Sequence, residues 1–326
     1  MSELNNRDKK IIYAIVGPTC TYKSTIGIDI ASRDVACNVS TFEIISSDSR
    51  LVYKGMDIGT SKPTQEERKN IPHYMIDIVE PDTNYSVALY KRETENIIKD
   101  IFERDKIPLF VGGTGLYLNS VLLGLSIPEV KPDLSLRRQL KELSQEELYK
   151  KLTELDPDAT KIIHKNDHFR TIRALEVIYK TNKLFSKLKT IRELPYDVCW
   201  IGLAYKDRIL HVEKIKSRAE SFYGNGFIDE VKSLLDKYGE LDLFKNTIGY
   251  KEAIDYIKVR ISLKEMIEKI TLSTKQFAKR QMTWFRANKK INWIYLDELD
   301  YKRAFDKVFN LIQEGSFAKT SRVSIS

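Results

Sequence analysis

The sequence predicts an α/β fold with a mostly parallel sheet, because short strand-like runs alternate with helical patterns along the chain. Five apolar runs rich in β-branched and aromatic residues are typical of buried strands. They are IIYAIVG (11–17), FEIISSD (42–48), IPLFVGG (107–113), DVCWIGLAY (197–205) and NWIYLD (292–297). Parallel sheets of this kind bind ligands at the carboxyl ends of their strands. Residues 17, 48 and 113 stand at such ends, so we expect the loops that begin there to converge.

A helical insertion is predicted between the third and fourth strands. No glycine occurs between Gly124 and Gly202, and the segment holds the helical patterns PDLSLRRQLKEL, SQEELYKKLTEL and DHFRTIRALEVIYKTNKLF. Ser144 and Glu147 form the Ser-x-x-Glu pattern of a capping box at the start of the second helix. We therefore divide the chain into an α/β core (1–124 and 196–315), an all-helical insertion domain (125–195) and a loose C-terminal tail (316–326).

The charge balance is basic and unevenly distributed. The 326 residues carry a net charge of +8; residues 131–192 hold 15 Lys and Arg against 9 Asp and Glu, and residues 275–290 hold six basic residues and no acidic one. Such segments are compatible with a polyanionic partner. No apolar run approaches the roughly 18 residues of a membrane helix. Cys20, Cys37 and Cys199 are too widely spaced for a disulfide framework or a paired metal motif, so we expect a cytoplasmic protein.

The segment GPTCTYKS (17–24) follows the first strand and opens a helical pattern, as a phosphate-binding loop does. In such a loop the backbone N–H groups face the anion, the lysine adds positive charge and the serine can bind Mg²⁺. Tyr22 stands where the motif has its second glycine, and a positive φ there would cost about 1–2 kcal/mol. The context favours a P-loop NTPase-like core. For this segment alone, a chance Lys-Ser pair after a strand is the alternative.

Two further segments place polar groups at strand ends. Asp48, within ISSDSRLVYKGMDIGTSKP (45–63), could hold Mg²⁺ or act as a general base, although a helix N-cap is an equally good interpretation of an aspartate there. The segment VGGTGLYLNSVLLG (111–124) combines three glycines, which permit close approach of a ligand, with the hydroxyl of Thr114. Glycine-rich turns of this kind are also found where only tight packing is needed.

Taken together, these segments resemble the bacterial tRNA dimethylallyltransferases. The likeness rests on GPTCTYKS, DSRLVYKGMDIGTSKP, IPHYMIDIVEPDTNYSVALY and PLFVGGTGLYL, and it continues in order through NDHFRTIRALEVIY (166–179), residues 226–231, TIGYKEA (247–253) and QFAKRQMTWFR (276–286). It covers nearly the whole chain. The stretch 48–63 weighs most, because ordinary nucleotide kinases do not carry it.

The resemblance implies transfer of the dimethylallyl group from dimethylallyl diphosphate to N6 of adenosine 37, next to the anticodon of tRNA. The phosphate loop would then bind a prenyl diphosphate rather than ATP, with Mg²⁺ as the cofactor held by Ser24. Lys23 and Arg218 would neutralise the leaving diphosphate. The diphosphate-binding residues implied are Gly17, Pro18, Thr19, Cys20, Thr21, Tyr22, Lys23 and Ser24.

On the acceptor side, the resemblance assigns Asp48 as the base that accepts the N6 proton and Thr114 as a contact of the target nucleotide. The adenine would be flipped out of its stacked loop to reach them. The tRNA-binding residues implied are Asp48, Ser49, Arg50, Leu51, Thr114, Arg170, Lys251, Lys279, Arg280 and Arg286. The family often has Gln in place of Leu51. Arg173 is a further candidate for phosphate contact, and Trp284 and Phe285 could stack on bases, although burial is the expected fate of at least one.

Two other functions remain open from the sequence. A phosphate-loop kinase or an isopentenyltransferase acting on free adenine nucleotides would share the loop and Asp48, but not a basic insertion. A tRNA-binding relative with weakened catalysis is suggested by Tyr22. His164 and His168 lack partners with zinc-like spacing, so we assign them capping or surface roles. The resemblance also suggests a monomer.

Overall fold

The computed structural model describes residues 9–33, 41–128, 130–188 and 190–320, and it divides into two compact units. The first comprises the described residues of Met1–Ser86, Arg92–Leu118 and Pro195–Ser326, and the second comprises those of Val87–Lys91 and Asn119–Leu194. Cys37 lies outside the described residues, whereas Cys20 and Cys199 are free thiols. Across the described ranges, no helix has the length and apolar character needed to cross a membrane.

A parallel sheet forms the centre of the first unit, as predicted. Its strands are β1 Lys10–Val16, β2 Phe42–Ser46, β3 His73–Tyr74, β4 Ile107–Gly112, β5 Tyr196–Ala204 and β6 Ile291–Tyr295, in the order β3-β2-β4-β1-β5-β6. All five predicted strands are confirmed. The sequence missed β3, whose two residues pair with Ile44 and Ile45 but are too few to show a period-2 pattern. β1 lies between β4 and β5, so its carboxyl end is central.

Helices occupy most of the remaining described chain. In chain order they are α1 Lys23–Arg33, α2 Val87–Glu103, α3 Gly115–Leu122, α4 Leu134–Lys141, α5 Gln145–Leu155, α6 Pro157–Thr160, α7 His168–Thr181, α8 Phe185–Leu188, α9 Arg208–Gly224, α10 Phe227–Tyr238, α11 Asp242–Lys245, α12 Tyr250–Ile257, α13 Leu263–Arg286 and α14 Tyr301–Thr320. The predicted loose tail is wrong for residues 316–320, which continue α14 because the i→i−4 bonding of the preceding turns extends through them. Residues 321–326 lie outside the described ranges.

The sheet is buried against α1 and α14. Ile15 of β1 and Leu203 of β5 are fully buried in one apolar cluster with Ile26 of α1 and Val308 of α14. Burying each such side chain contributes about 1.5–3 kcal/mol, so this cluster fixes the position of α1, which follows the phosphate loop.

A second apolar cluster in the same unit unites the segments 52–56, 219–234 and 244–270. At its edge, the Glu230 carboxylate accepts hydrogen bonds from the backbone N–H groups of Asp57 (3.0 Å), Ile58 (2.6 Å) and Gly59 (3.3 Å). The Tyr250 hydroxyl donates to the same carboxylate at 2.6 Å. Three segments that carried the sequence resemblance are therefore joined at a single acidic side chain.

The second unit is built from α4–α8 with the parts of α2 and α3 that it contains. Its core includes Leu148, Leu152 and Leu175, all fully buried. The capping box at Ser144 is confirmed: its hydroxyl accepts from the N–H of Glu147, and the Glu147 carboxylate accepts from the N–H of Ser144 at 2.8 Å. The predicted insertion domain began at 125 and ended at 195, whereas the compact unit takes up Asn119–Leu194 and a turn of α2.

Candidate active site

The phosphate loop connects the central strand β1 to α1. Gly17 has φ +148°, and a Cβ on it would lie 2.1 Å from the carbonyl oxygen of Leu203, so no other residue fits there. Cys20 and Tyr22 both have positive φ, at 62° and 57°. Alternating residues of this kind turn successive N–H groups toward one side of a loop, which is the arrangement that binds anions. The local backbone is therefore compatible with the predicted phosphate cradle.

Tyr22 has the left-handed backbone conformation that is typical of the glycine at its place in the motif. Its ring is 40% exposed and meets the ring of Tyr301 edge-on, with centroids 6.0 Å apart and planes at 83°. The Tyr301 hydroxyl in turn donates to the carboxylate of Asp29 on α1. An edge-to-face pair contributes about 0.5–1.5 kcal/mol, which offsets much of the backbone cost of about 1–2 kcal/mol.

Lys23 turns its ammonium back over the loop. Its Nζ donates to the carbonyl of Pro18 and to the hydroxyl of Thr21 at 3.3 Å. Burial lowers the pKa of Lys23 to about 8, while the charge of Asp48 acts to raise it and that of Arg218 to lower it. A phosphate group bound in this loop would supply a negative charge that stabilises the protonated ammonium of Lys23.

Thr19 is the point at which two helices hold the phosphate loop. Arg218 of α9 donates from Nη1 to the Thr19 hydroxyl at 2.6 Å, and Nε2 of His211 lies 2.9 Å from the Thr19 carbonyl oxygen. Burial lowers the pKa of His211, although its contact with that carbonyl opposes the shift. The Thr19 N–H donates to Gln281 of α13 at 3.0 Å. Arg218 thus lies at the loop rather than on a solvated helix face.

Asp48 follows β2 and begins a turn. Its Oδ1 accepts from the N–H of Arg50 at 2.8 Å, and turns rather than a helix follow, so the N-cap interpretation is wrong. The side chain instead closes a local Asx turn, for which aspartate is well suited. Its second carboxylate oxygen is not needed for that turn, which leaves the group able to accept a proton.

Thr114 connects the glycine-rich loop to the Asp48 turn. Its hydroxyl accepts from the N–H of Ser49 at 3.0 Å, and its own N–H donates to the carbonyl of Ser47 at 2.9 Å. The loops after β2 and β4 therefore converge, as predicted, and Lys23 and Arg218 contribute to the same electrostatic environment as Asp48. The arrangement places the predicted phosphate loop beside a carboxylate and a hydroxyl.

The other predicted acceptor-side residues differ in exposure. Ser49 and Arg50 are half-buried, whereas Leu51 is 8% exposed and packs inward. Leu51 and Ser24 line a small cavity of about 20 Å³, enough for roughly one water molecule. Burial gives Leu51 a packing role, consistent with an apolar residue at this position.

Exposed basic side chains are located on both units. Lys279, Arg280 and Arg286 are exposed on α13, and Lys251 is exposed on α12. Trp284 is 44% exposed and its indole lies against Gly115, while Phe285 is 3% exposed and belongs to the core. The expectation that at least one of the two aromatic residues is buried is confirmed.

In the second unit, Arg170 is exposed at the start of α7. Arg173 is instead bound to the fully buried Glu176, with Nη1 and Oε2 2.5 Å apart, and to the Val130 carbonyl at 2.9 Å. The guanidinium of Arg173 thus neutralises a buried carboxylate, and its contact with phosphate stays a prediction. Nδ1 of His168 lies 2.9 Å from Gln145, and the described residues contain no cluster of three His, Cys, Asp or Glu suited to a metal.

Sequence reasoning missed His211, Gln281 and Glu230. Gln281 stands in the segment QFAKRQMTWFR, which was assigned to tRNA binding because of its basic residues. Its side chain is only 7% exposed and therefore faces inward. The helical period of α13 could have indicated this, since Gln281 shares a face with Ala278 and Phe285, both buried.

Comparisons with known proteins agree with the predicted resemblance. The profile of the family described as IPP transferase matches residues 51–288. A tRNA dimethylallyltransferase from Caldanaerobacter subterraneus is 44% identical over 300 residues, which are 89% of this chain and 93% of the relative. One from Gloeothece citriformis is 42% identical over 306 residues, 94% of this chain and 97% of the relative.

Solved structures show the same likeness. The tRNA isopentenylpyrophosphate transferase of Bacillus halodurans matches with a TM-score of 0.70 and 34% identity, covering 96% of this chain and 99% of that one. A eukaryotic dimethylallyltransferase acting on tRNA matches with a TM-score of 0.77 and 28% identity, covering 94% and 80%. The match in fold, in sequence and in length shows that this chain belongs to the IPP transferase family.

Proposed function

We propose that this protein transfers the dimethylallyl group of dimethylallyl diphosphate to N6 of adenosine 37 in tRNA and releases diphosphate. The observation that carries the proposal is the convergence of three strand ends, which sets the phosphate loop beside Asp48 and Thr114. A phosphate-loop kinase would share the loop and Asp48, so the choice between the two reactions rests on the acceptor. The relatives named as acting on tRNA support the choice of acceptor.

The transfer requires charge neutralisation on one side and proton removal on the other. The N6 nitrogen bonds to C1 of the dimethylallyl group while the C1–oxygen bond breaks, and the bonding electron pair leaves with the diphosphate. Lys23 and Arg218, both at the loop, stabilise the negative charge that develops there. Asp48 accepts the N6 proton. Thr114, already fixed to Ser49 through its hydroxyl, positions the acceptor nucleotide.

The donor groups at this edge fit Mg²⁺. Ser24 is exposed at the first turn of α1, and its hydroxyl is a hard oxygen ligand of the kind that Mg²⁺ takes. Mg²⁺ typically takes one or two protein oxygens and completes its shell with phosphate oxygens and water. Ser24 would hold the ion, which supplies further neutralisation of the diphosphate.

We further propose that the anticodon arm binds along the exposed basic side chains of α12 and α13, namely Lys251, Lys279, Arg280 and Arg286, with Arg170 of the second unit as an additional phosphate contact. The absence of acidic residues from 275 to 290 supports this assignment. The free thiols of Cys20 and Cys199 are consistent with a cytoplasmic protein. From the family resemblance we infer that the protein acts as a monomer.

The direct test is incubation with labelled dimethylallyl diphosphate, Mg²⁺ and unmodified tRNA, with AMP and ATP as alternative acceptors. We expect label in tRNA, lost when the target adenosine is replaced by guanosine. Label in AMP but not tRNA would indicate a transferase of free nucleotides. Turnover of ATP would indicate a kinase, and tRNA binding without transfer would indicate weakened catalysis. Any of these three results contradicts the proposal.

A further inference from the structure

Gln281 connects the two loops that form the candidate active site. Its side chain is 7% exposed, and both halves of its amide are bonded. Oε1 accepts from the N–H of Thr19 in the phosphate loop at 3.0 Å, and Nε2 donates to the carbonyl of Gly113 in the glycine-rich loop at 2.9 Å. The neutral amide carries an acceptor oxygen and a donor nitrogen, so one side chain satisfies both partners.

The backbone at both ends leaves room for this side chain. A Cβ on Gly113 would lie 2.3 Å from Nε2 of Gln281, so the glycine-rich loop accommodates the amide only because residue 113 has no side chain. Gly113 lies immediately after β4 and Thr19 shortly after β1, and these two strands are neighbours in the sheet. Gln281 thus spans the gap between two adjacent strand ends.

The bond to Thr19 also decides which groups of the loop are available to a ligand. His211 and Arg218 of α9 engage the Thr19 carbonyl and hydroxyl, and Gln281 of α13 takes its N–H. That N–H is therefore directed away from the anion site. The position of Thr19 is set from two helices, while the residues after it remain to bind the diphosphate.

We propose that Gln281 is a positioning residue that fixes the distance between the leaving diphosphate and the acceptor held by Asp48 and Thr114. The inference rests on the proposed transfer reaction. Because both halves of its amide are bonded to the protein, Gln281 acts on the diphosphate through Thr19 and on the acceptor side through Gly113, next to Thr114. A displacement of about 1 Å in such a geometry can cost about 10²-fold in rate.

The test compares Gln281→Met with Gln276→Met. Methionine matches glutamine in length and burial but forms neither bond, and Gln276 is an exposed glutamine on the same helix. We expect Gln281→Met to lower kcat by about 10- to 100-fold, with KM for dimethylallyl diphosphate and Kd for tRNA changed less than threefold. Gln276→Met should match wild type. A wild-type kcat in Gln281→Met, or a loss confined to KM, would overturn the proposal.

A second variant separates positioning from simple destabilisation. In Gln281→Glu the carboxylate still accepts from Thr19 but faces the Gly113 carbonyl without a proton, so kcat should fall. Protonation restores a donor, and burial raises the pKa of a carboxyl group. We therefore expect kcat relative to wild type at the same pH to recover as the pH is lowered from 8 to 6. A ratio that stays constant with pH would contradict the role.

Hydrogen exchange tests the connection without relying on activity. In Gln281→Met, amide exchange in peptides covering 17–24 and 111–116 should be faster than in wild type, and Gln276→Met should leave it unchanged. Unchanged exchange in both peptides would refute the connection itself. If wild type transfers no label to tRNA while exchange responds as expected, the proposed reaction fails and the connection stands.

Discussion

At the scale of single residues, the phosphate loop shows how packing compensates for local strain. Tyr22 holds φ +57° where a glycine would be unstrained, and its ring packs edge-on against Tyr301. Tyr301 is itself bonded to Asp29 of α1. The stability of the loop therefore depends on Tyr301, a side chain outside the loop motif. Two variants of Tyr22 that both lose the ring, one keeping the Cβ and one without it, measure the strain.

We predict that Tyr22→Ala is less stable than Tyr22→Gly. Both lose the contact with Tyr301, but alanine keeps the Cβ that is strained at positive φ, so its free energy of unfolding should be lower by about 1 kcal/mol. Urea unfolding measures the difference. At Tyr179, exposed within α7, the order should reverse because alanine is favoured over glycine in a helix. Equal stability of the two Tyr22 variants would contradict the assigned strain.

Lys23 gives a pH-dependent prediction. Burial lowers its pKa to about 8, whereas a bound diphosphate favours the charged ammonium and raises the pKa again. At pH 9 the Lys23 side chain is mostly deprotonated in the free protein and protonated in the complex. Binding of inorganic diphosphate at pH 9 should therefore take up a proton. At pH 7 the ammonium is charged in both states, so no uptake by Lys23 is expected. Calorimetry in two buffers of different ionisation enthalpy measures the uptake, and none at pH 9 would contradict the assignment.

The lowered pKa of Lys23 also makes the stability of the ligand-free protein depend on pH. The folded, ligand-free value lies below the unfolded one of 10.5, so between about pH 8 and 10.5 the unfolded state binds more protons. Lys23 therefore makes the ligand-free protein more stable as the pH rises through that window. Its contribution is constant below pH 8.

At the scale of elements, the sequence predicted the strands better than the hydrogen bonds that join distant loops. The five long strands follow from local pattern, and β3 was missed because two residues carry none. The contacts of Gln281 reach across 262 residues to Thr19 and 168 residues to Gly113, so they depend on where α13 packs and not on its own sequence. The motifs identified the candidate site residues. They did not reveal the long-range hydrogen bonds that hold those residues in place.

Glu230 of α10 offers a test of one such connection. Its carboxylate accepts from three consecutive backbone N–H groups at 57–59 and from Tyr250. Glu230→Ala leaves these donors without their acceptor, and we expect the free energy of unfolding to fall by about 2 kcal/mol or more. Asp229→Ala, at the exposed neighbouring position, should change it by less than about 0.5 kcal/mol. Comparable losses in the two variants would argue against the role of Glu230.

At the scale of the whole molecule, the basic charge is organised by helix and not spread evenly. The exposed face of α13 carries Lys279, Arg280 and Arg286, while the opposite face contacts the candidate active site through Gln281 and Thr19. One helix thus carries both the proposed RNA contacts and a side chain that supports the predicted phosphate loop. The net charge of +8 alone indicated a polyanionic partner but not this arrangement.

The salt dependence of tRNA binding tests the assignment of α13. Replacing Lys279 and Arg280 by Gln should weaken binding and reduce the slope of log K against log salt concentration by about 1–2, since each phosphate contact releases counterions. The consecutive residues Lys302 and Arg303, exposed on α14, provide a control with the same change in charge. Replacing them by Gln should leave the slope unchanged. An unaltered slope in the α13 variant would show that these side chains do not contact phosphate.

The central claim is that Asp48 removes a proton while the neighbouring loop holds the diphosphate, and single-turnover transfer of label to tRNA by Asp48→Asn tests it most directly. Asparagine keeps an oxygen that can accept from the Arg50 N–H, so the turn is preserved while the base is lost. We predict that transfer slows by about 10²- to 10⁴-fold with tRNA affinity unchanged. Transfer by Asp48→Asn at the wild-type rate would contradict the account.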